Sequence, residues 1–308
     1  MNKTCLGAGL ISLDILINGI ECQRPISYYV GGTCGNVMMI LSFMGWDSFP
    51  VARLDDSKQS TRLIADMKKN NVHTDFVSTN DGKTPVIIQR NIIDKFGNPT
   101  HKFEFKDSKG RMFLGYSPVT INQAKKVLET LDFVPTVFFF DRITPANIKM
   151  ARILKEKGSI IFFEPSCKVT TPHFMDCINI SDIVKFSNQR ITEIKFFNEL
   201  KLPLVIQTLG ENGLRFKVYP NEWVQVPPIK NTNIIDTAGA GDWTSSAFIN
   251  LLFEQNKKLN DLSECEIYNM LLNAQVFGSK SCSYEGARGM MIEEFNYSSL
   301  NDRISKNK

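Results

Sequence analysis

Apolar residues in this chain gather in short dense runs. Val137-Phe138-Phe139-Phe140, Ile160-Ile161-Phe162-Phe163 and Leu204-Val205-Ile206 show no polar alternation, the pattern of strands buried on both faces. Helical stretches lie near them. Pro145-Ala146 opens one that closes at Lys157-Gly158, with proline in the first turn and glycine just past the end. Strands alternating with helices predict a parallel sheet between helical layers.

The texture changes between Thr84 and Phe105. Val86 to Ile93 reads as a strand, Lys95-Phe96-Gly97-Asn98-Pro99 as a turn, and His101-Lys102-Phe103-Glu104-Phe105 alternates, which together predict a hairpin. Leu13 to Ile20 and Ser27 to Val30 add two strand-like segments. Thr208-Leu209-Gly210-Glu211-Asn212-Gly213 follows the strand Leu204 to Gln207. It reads either as a hairpin turn or as a loop lining a nucleotide crevice at the C-terminal edge of a sheet. Asp141-Arg142 follows the run 137–140 and suits a ligand contact or a salt bridge equally.

At 308 residues and 43% hydrophobic content, the chain can bury a sizeable core as one large or two ordinary domains. With 36 basic and 32 acidic residues, its net charge of +4 is mild, and the one basic cluster is the end Lys306-Asn307-Lys308. Nothing suggests nucleic-acid binding. No apolar run approaches the roughly 20 residues a membrane helix needs. The first 20 residues lack a basic region followed by a small-residue cleavage site, so a cytoplasmic protein with no membrane partner is expected. The seven cysteines (5, 22, 34, 167, 177, 265 and 282) have no paired spacing and read as reduced packing residues. His73, His101 and His173 stand apart from one another, against a structural zinc site.

The strongest chemical signal is Asp236-Thr237-Ala238-Gly239-Ala240-Gly241-Asp242-Trp243. Alternating glycine and alanine let the backbone turn sharply and leave its amides open to a ligand. Asp242 to Phe253 then keeps apolar residues at helical intervals. A helix start holds unpaired N–H groups and the positive end of the macrodipole, so the Gly239, Ala240 and Gly241 amides suit a phosphoryl group in transfer. Asp242 beside it suits a general base that takes a proton from an attacking hydroxyl. The plainer alternative is a glycine-rich cap with Asp242 as N-cap and Asp236 in a turn.

Asp236-Thr237-x-Gly239-Ala240-Gly241-Asp242 resembles the second signature of the PfkB (ribokinase-like) family of carbohydrate and nucleoside kinases. Gly31-Gly32-Thr33-Cys34-Gly35-Asn36, followed by a helical Val37 to Met44, is similar to the family's Gly-Gly-x-x-x-Asn signature. Gly7-x-Gly9, Asp14, Thr208-x-Gly210 and Gly286-Ala287 extend the likeness over essentially the whole chain. The resemblance implies a three-layer α/β/α sandwich with a mostly parallel central sheet and a small β-sheet lid. Residues 1–12, 31–82 and 107–308 would form the core, and 13–30 and 83–106 the lid. Such a lid would exclude water once substrate is bound, and its exposed edges would suit a homodimer.

The resemblance also implies ATP-dependent phosphorylation of a hydroxyl on a small sugar or polyol, with Mg²⁺ bridging the nucleotide phosphates. Asp14, Gly32 and Asn36 would bind the acceptor. Ser187, Thr208, Gly210, Gly213 and Asn273 would contact the nucleotide. Asp236 and the Ala238 carbonyl, with the loop 281–286, match the family's monovalent-cation site, whose ion would be K⁺; carbonyl ligands leave no side-chain signature to decide its presence. A nucleoside acceptor, or a sugar or nucleotide sensor on the same fold, are the alternatives. Taken without the resemblance, Asp14 reads as a turn residue and Asn36 as a helix cap.

Three departures stand out. The family's Lys-Pro-Asn-x-x-Glu segment is here Lys185-Phe186-Ser187-Asn188-Gln189-Arg190, exchanging an acid that could hold hydrated Mg²⁺ for a cation that could touch phosphate. Glu164-Pro165-Ser166 replaces an aspartate-proline-asparagine run, and Asp55 stands where a glycine is usual. Other phosphate-binding classes do not match. Gly82-Lys83-Thr84 mimics the end of a P-loop, yet Val77 occupies the position of the upstream glycine, and Gly7-Ala8-Gly9-Leu10-Ile11-Ser12 ends in serine where a dinucleotide fingerprint needs glycine.

Overall fold

The computed structural model describes residues 2–18, 27–95, 97, 99–106, 110–111, 115–166, 171–192, 194–294, 297 and 300–301. In chain order the strands are β1 (Thr4–Ala8), β2 (Ser12–Asn18), β3 (Ser27–Gly31), β4 (Asp47–Arg53), β5 (Val77–Ser78), β6 (Val86–Ile93) and β7 (Pro99–Glu104). They continue with β8 (Val137–Phe140), β9 (Ile160–Phe163), β10 (Ile183–Ser187), β11 (Leu204–Thr208), β12 (Leu214–Val218) and β13 (Val224–Val226). The α-helices are α1 (Thr33–Phe43), α2 (Lys58–Lys69), α3 (Ile121–Thr130), α4 (Pro145–Glu156), α5 (Pro172–Ile180), α6 (Ile194–Asn198), α7 (Ala240–Glu254), α8 (Glu264–Ser281) and α9 (Gly289–Glu294).

Nine of these strands form the main sheet in the order β13-β12-β11-β10-β9-β8-β1-β4-β5. Pairing is parallel from β11 to β5, and at one edge the β11–β12 and β12–β13 pairs are antiparallel. The dense apolar runs have a direct cause. Successive side chains of a strand point to opposite faces, and both faces of this sheet are covered. Cys5, Phe139, Phe162, Ile183, Leu204 and Ile206 join the core under α1, α2, α7, α8 and α9. Leu6, Phe138, Phe140, Ile161, Phe163, Val184 and Val205 join the core under α3, α4, α5 and α6. Phe140 stacks on Phe163 at 4.6 Å between ring centroids, so phenylalanine supplies much of that second core.

The predicted helix at 145–157 is α4. Thr144 caps it by accepting from the Asn147 amide, and Gly158 continues the chain at φ 101°. The hairpin is present as well, with Ile88 opposite Glu104 and Ile93 opposite Pro99; Phe96 and Asn98 of its turn lie outside the described residues. β2, β3, β6 and β7 make a separate four-stranded sheet in the order β3-β2-β6-β7. Gly19 and Ile20, assigned to the first of these strands from sequence, also lie outside the described residues, as does the basic end 306–308. Cys5, Cys34, Cys177, Cys265 and Cys282 are free thiols, and Cys22 and Cys167 fall outside the description. Among the described residues no helix is long and apolar enough to cross a membrane.

The order of strands positions the site. β1 lies between β8 and β4, so the chain switches direction across the sheet there, and ligand crevices open at the C-terminal ends of strands beside such a point. Polar residues collect at those ends: Asp141 after β8, Glu164 after β9, Ser187 at the end of β10 and Thr208 at the end of β11.

Candidate active site

The glycine-alanine turn becomes the start of α7. The helix begins at Ala240, two residues earlier than the apolar pattern suggested. Its N-cap is Gly239 in the left-handed region at φ 78°, so Asp242 is not a cap but sits inside the first turn. A side chain on Gly239 would be strained in that conformation, and its Cβ would lie 2.4 Å from Ala287 Cβ. The Ala240 amide turns partly back to the Thr237 carbonyl at 3.4 Å, while the Gly241 amide meets no protein acceptor among the described residues.

The Gly31-Gly32 patch becomes the start of α1. Gly32, at φ 78°, is the N-cap; Asn36 lies within the helix and is no cap. Its side chain reaches Asp242 across 206 positions of sequence, Asn36 Nδ2 donating to Asp242 Oδ2 at 2.7 Å. Asn36 Oδ1, buried, has no partner among the described residues. Asp14 is not in a turn either: it stands on β2 opposite Tyr29, accepting from Ser12 Oγ at 2.7 Å. A Cβ on Gly31 would fall 1.9 Å from Asp14 Oδ2, so this glycine makes room for the carboxyl. Asp14, Asn36, Gln89, Ala287 and Arg288 line one small cleft.

The carboxyl groups here are perturbed. Asp242 keeps a partial opening to solvent, yet burial and the nearby Glu164 charge push its pKa up, with the Asn36 hydrogen bond, Lys185 and Arg190 opposing. Burial raises Asp14 to about 7 against the Ser12 hydrogen bond and Arg288. Asp141 rises to about 6, burial outweighing Arg142 and the Leu10 amide. Arg142 Nη1 lies 2.7 Å from Asp141 Oδ2, and the Leu10 amide donates to Oδ1 at 2.8 Å, so this pair braces the end of β1.

Beneath the turn lies a buried ion pair for which the apolar patterns gave no warning. Lys185 Nζ donates to Glu164 Oε1 at 2.7 Å, and Ser245 Oγ of α7 donates to Oε2 at 2.5 Å. Lys185 Nζ also lies 3.6 Å from where a Gly241 Cβ would stand. One charged residue inside the apolar strand Ile183-Val184-Lys185-Phe186 was the available signal, since lysine is rarely buried without a partner. Arg288 was also missed. It is 2% exposed and pairs with Asp66 of α2 through Nη1, and its Nε has no partner among the described residues.

Ser187 and Thr208 are direct neighbours across β10 and β11. Thr208 to Gly213 is the hairpin turn into antiparallel β12, at the C-terminal end of β11. Gly210 and Gly213 both have positive φ, 62° and 84°. Asn273 is half-buried on α8, which packs on α7 and β13. Arg190 is exposed. Asp55 accepts from Ser57, Ser60 and Thr84, so the acid found in place of the usual glycine ties the start of α2 to the segment entering β6. No group of three or more His, Cys, Asp or Glu side chains is arranged to hold a metal among the described residues. Asp236 accepts from the Ala238 and Gly286 amides, each at 2.9 Å.

Two signatures distant in sequence thus meet through a direct side-chain bond. Residues 149–292 match the sequence profile described as pfkB family carbohydrate kinase. Over that stretch the chain resembles the PfkB family. Its curated relatives in sequence include the probable fructokinase-6, chloroplastic, of Arabidopsis thaliana, 21% identical over 306 residues, covering 92% of this chain and 78% of that protein. In structure it is similar to the ribokinase of Giardia lamblia, with a TM-score of 0.78 at 17% identity over 99% of this chain and 100% of that one. The fructokinase of Vibrio cholerae, bound to fructose, ADP and calcium, aligns with a TM-score of 0.69 at 17% identity, over 92% and 94% of the two chains. The chain has the ribokinase-like fold: a large, mostly parallel sheet between helices and a small separate sheet.

Proposed function

We propose that this protein is a kinase of the PfkB type, transferring the γ-phosphoryl group of ATP to a hydroxyl of a small sugar or sugar-like polyol. The observation that carries the reading is the 2.7 Å bond from Asn36 Nδ2 to Asp242 Oδ2, which sets a candidate base against a candidate acceptor-binding group that lines the cleft. Asp242 takes the hydroxyl proton as the oxygen attacks phosphorus and the bond to the ADP leaving group breaks. The Gly239, Ala240 and Gly241 turn, with the positive end of α7, faces the charge on the transferring group. The Gly241 amide, which has no protein acceptor among the described residues, is its best-placed donor. Lys185, beside that turn, adds a positive charge in a site of low dielectric.

On this reading the acceptor lies in the cleft with Asp14, the Gly32 backbone and Asn36. The unpartnered Asn36 Oδ1 accepts a hydroxyl proton. A pKa of about 7 lets the Asp14 carboxyl donate or accept near neutral pH. The small sheet acts as a lid that excludes water. The nucleotide lies along the edge formed by Ser187, Thr208, Gly210 and Gly213, with Asn273 of α8 on its other side. Mg²⁺ comes with the ATP phosphates, where it keeps several waters and needs few protein ligands. The Glu164 carboxylate is committed to Lys185 and Ser245, and the protein's share is to position and to neutralise charge.

The test is Asp242→Asn, assayed with ATP and Mg²⁺ across pentoses, hexoses, sugar acids and nucleosides. Turnover on the preferred acceptor falls by about 10²-fold or more, while nucleotide binding, read by thermal shift, is retained. Wild-type turnover in that variant removes Asp242 as the base. A hit confined to nucleosides moves the acceptor class, and no acceptor-dependent ATP consumption by the wild-type protein would favour a sensor.

A further inference from the structure

The resemblance implies a monovalent cation beside the phosphoryl-binding turn, with Asp236 as its side-chain ligand. The residues present do not fit that ion. Asp236 is 2% exposed, and each of its oxygens is met twice. Oδ1 faces the Ala238 amide at 2.9 Å and His101 Nδ1 at 3.0 Å. Oδ2 faces the Gly286 amide at 2.9 Å and the Gln89 side-chain nitrogen. A carboxylate offers about four lone-pair sites, and here all four directions meet nitrogen. The His101 approach is off the line of a full hydrogen bond, but its ring still occupies that side of the carboxylate. A cation at this point would meet N–H hydrogens where it needs oxygen.

Both side chains come from the small sheet. Gln89 lies on β6 and His101 on β7, where His101 stands opposite Asn91. Residues two apart on a strand share a face, and Gln89 Nε2 also donates to Asn91 Oδ1 at 3.0 Å. Because a carboxylate only accepts, the amide nitrogen of Gln89 has to face Asp236. The Ala238 and Gly286 amides belong to the two loops that meet at the turn, so whatever satisfies Asp236 also sets their position.

We infer that Gln89 and His101 are positioning residues that take the place of a monovalent cation at Asp236, so that the small sheet braces the phosphoryl-binding turn and the protein needs no K⁺. The activity arm of this inference rests on the proposed function; the binding arm does not.

The experiment measures thermal melting and acceptor-dependent ATP consumption in KCl and in tetramethylammonium chloride at equal ionic strength, which separates ion binding from screening. The wild-type protein melts and turns over alike in the two salts. Gln89→Ala and His101→Ala, singly and together, lower Tm and turnover, and K⁺ restores part of both by entering the vacated side of the carboxylate. The inference is overturned if K⁺ raises the wild-type Tm by about 2 °C or more, a shift ligand binding readily produces in a chain of this size. It is equally overturned by K⁺ activation of the wild type of about fivefold or more, the low end of coupling between sites, or by folded variants indifferent to K⁺. Should the wild type show no kinase activity on any acceptor, the proposed function fails and the melting comparison still decides the ion.

Discussion

Asp242 takes its properties from residues it never neighbours in sequence. Glu164 after β9 pushes its pKa up, and Asn36, Lys185 and Arg190 push it down, while burial does most of the work. The direction has a kinetic consequence. Acting as the proposed base, Asp242 must be deprotonated, so the rate is expected to fall as pH drops through the raised pKa. The acid limb of kcat/KM then lies above the ordinary carboxylate range, which a pH–rate profile checks. Asn36→Ala removes a hydrogen bond that stabilises the charged form, so it moves that limb to higher pH as well as raising KM for the acceptor. A variant that altered only folding would lower activity without moving the limb.

The start of α7 depends on one backbone conformation. Gly239 holds φ 78° against Ala287, and Gly239→Ala costs about 1–2 kcal/mol from the left-handed conformation before the clash with Ala287 is counted. We expect a lower Tm and a larger loss of kcat than of nucleotide binding, read by melting and by steady-state kinetics. At the start of α2, Asp55 gathers Ser57, Ser60 and Thr84. Burial raises its pKa, but these hydrogen bonds win and hold the carboxyl far below its usual range. A depressed folded-state pKa gives stability that is complete above the unfolded value, near 3.9, and is lost as pH falls toward the folded one. Asp55→Ala therefore lowers Tm at pH 7, with a deficit that shrinks in acid, checked by melts from neutral pH downward.

Across the whole protein, the Glu164 and Lys185 pair joins the ends of β9 and β10 to Ser245 of α7. Their side chains are 9% and 3% exposed. Removing one partner of such a pair leaves a buried charge and costs about 3–5 kcal/mol, whereas replacing both with apolar residues of similar volume can be close to neutral. Denaturant melts of Lys185→Met, Glu164→Leu and the double variant check this, the double variant being more stable than either single one. Its activity still falls, because the positive charge beside Gly241 is gone.

The strands were legible because their physics is local. A run such as Val137 to Phe140 can be dry on both faces only between two layers, whereas the alternation of His101 to Phe105 marks the hairpin strand β7. The glycine-alanine turn was legible because few other sequences leave a helix start bare. Helix starts were placed less well, since Thr33 and Ala240 carry no apolar periodicity; the glycine caps at Gly32 and Gly239 mark them only through a backbone angle. The burial of Lys185 and Arg288, the bond from Asn36 to Asp242, and the grip of Gln89 and His101 on Asp236 were decided by tertiary structure alone. Each joins segments brought together by strand order and layer packing, and no local pattern encodes which distant donor will meet a given carboxylate.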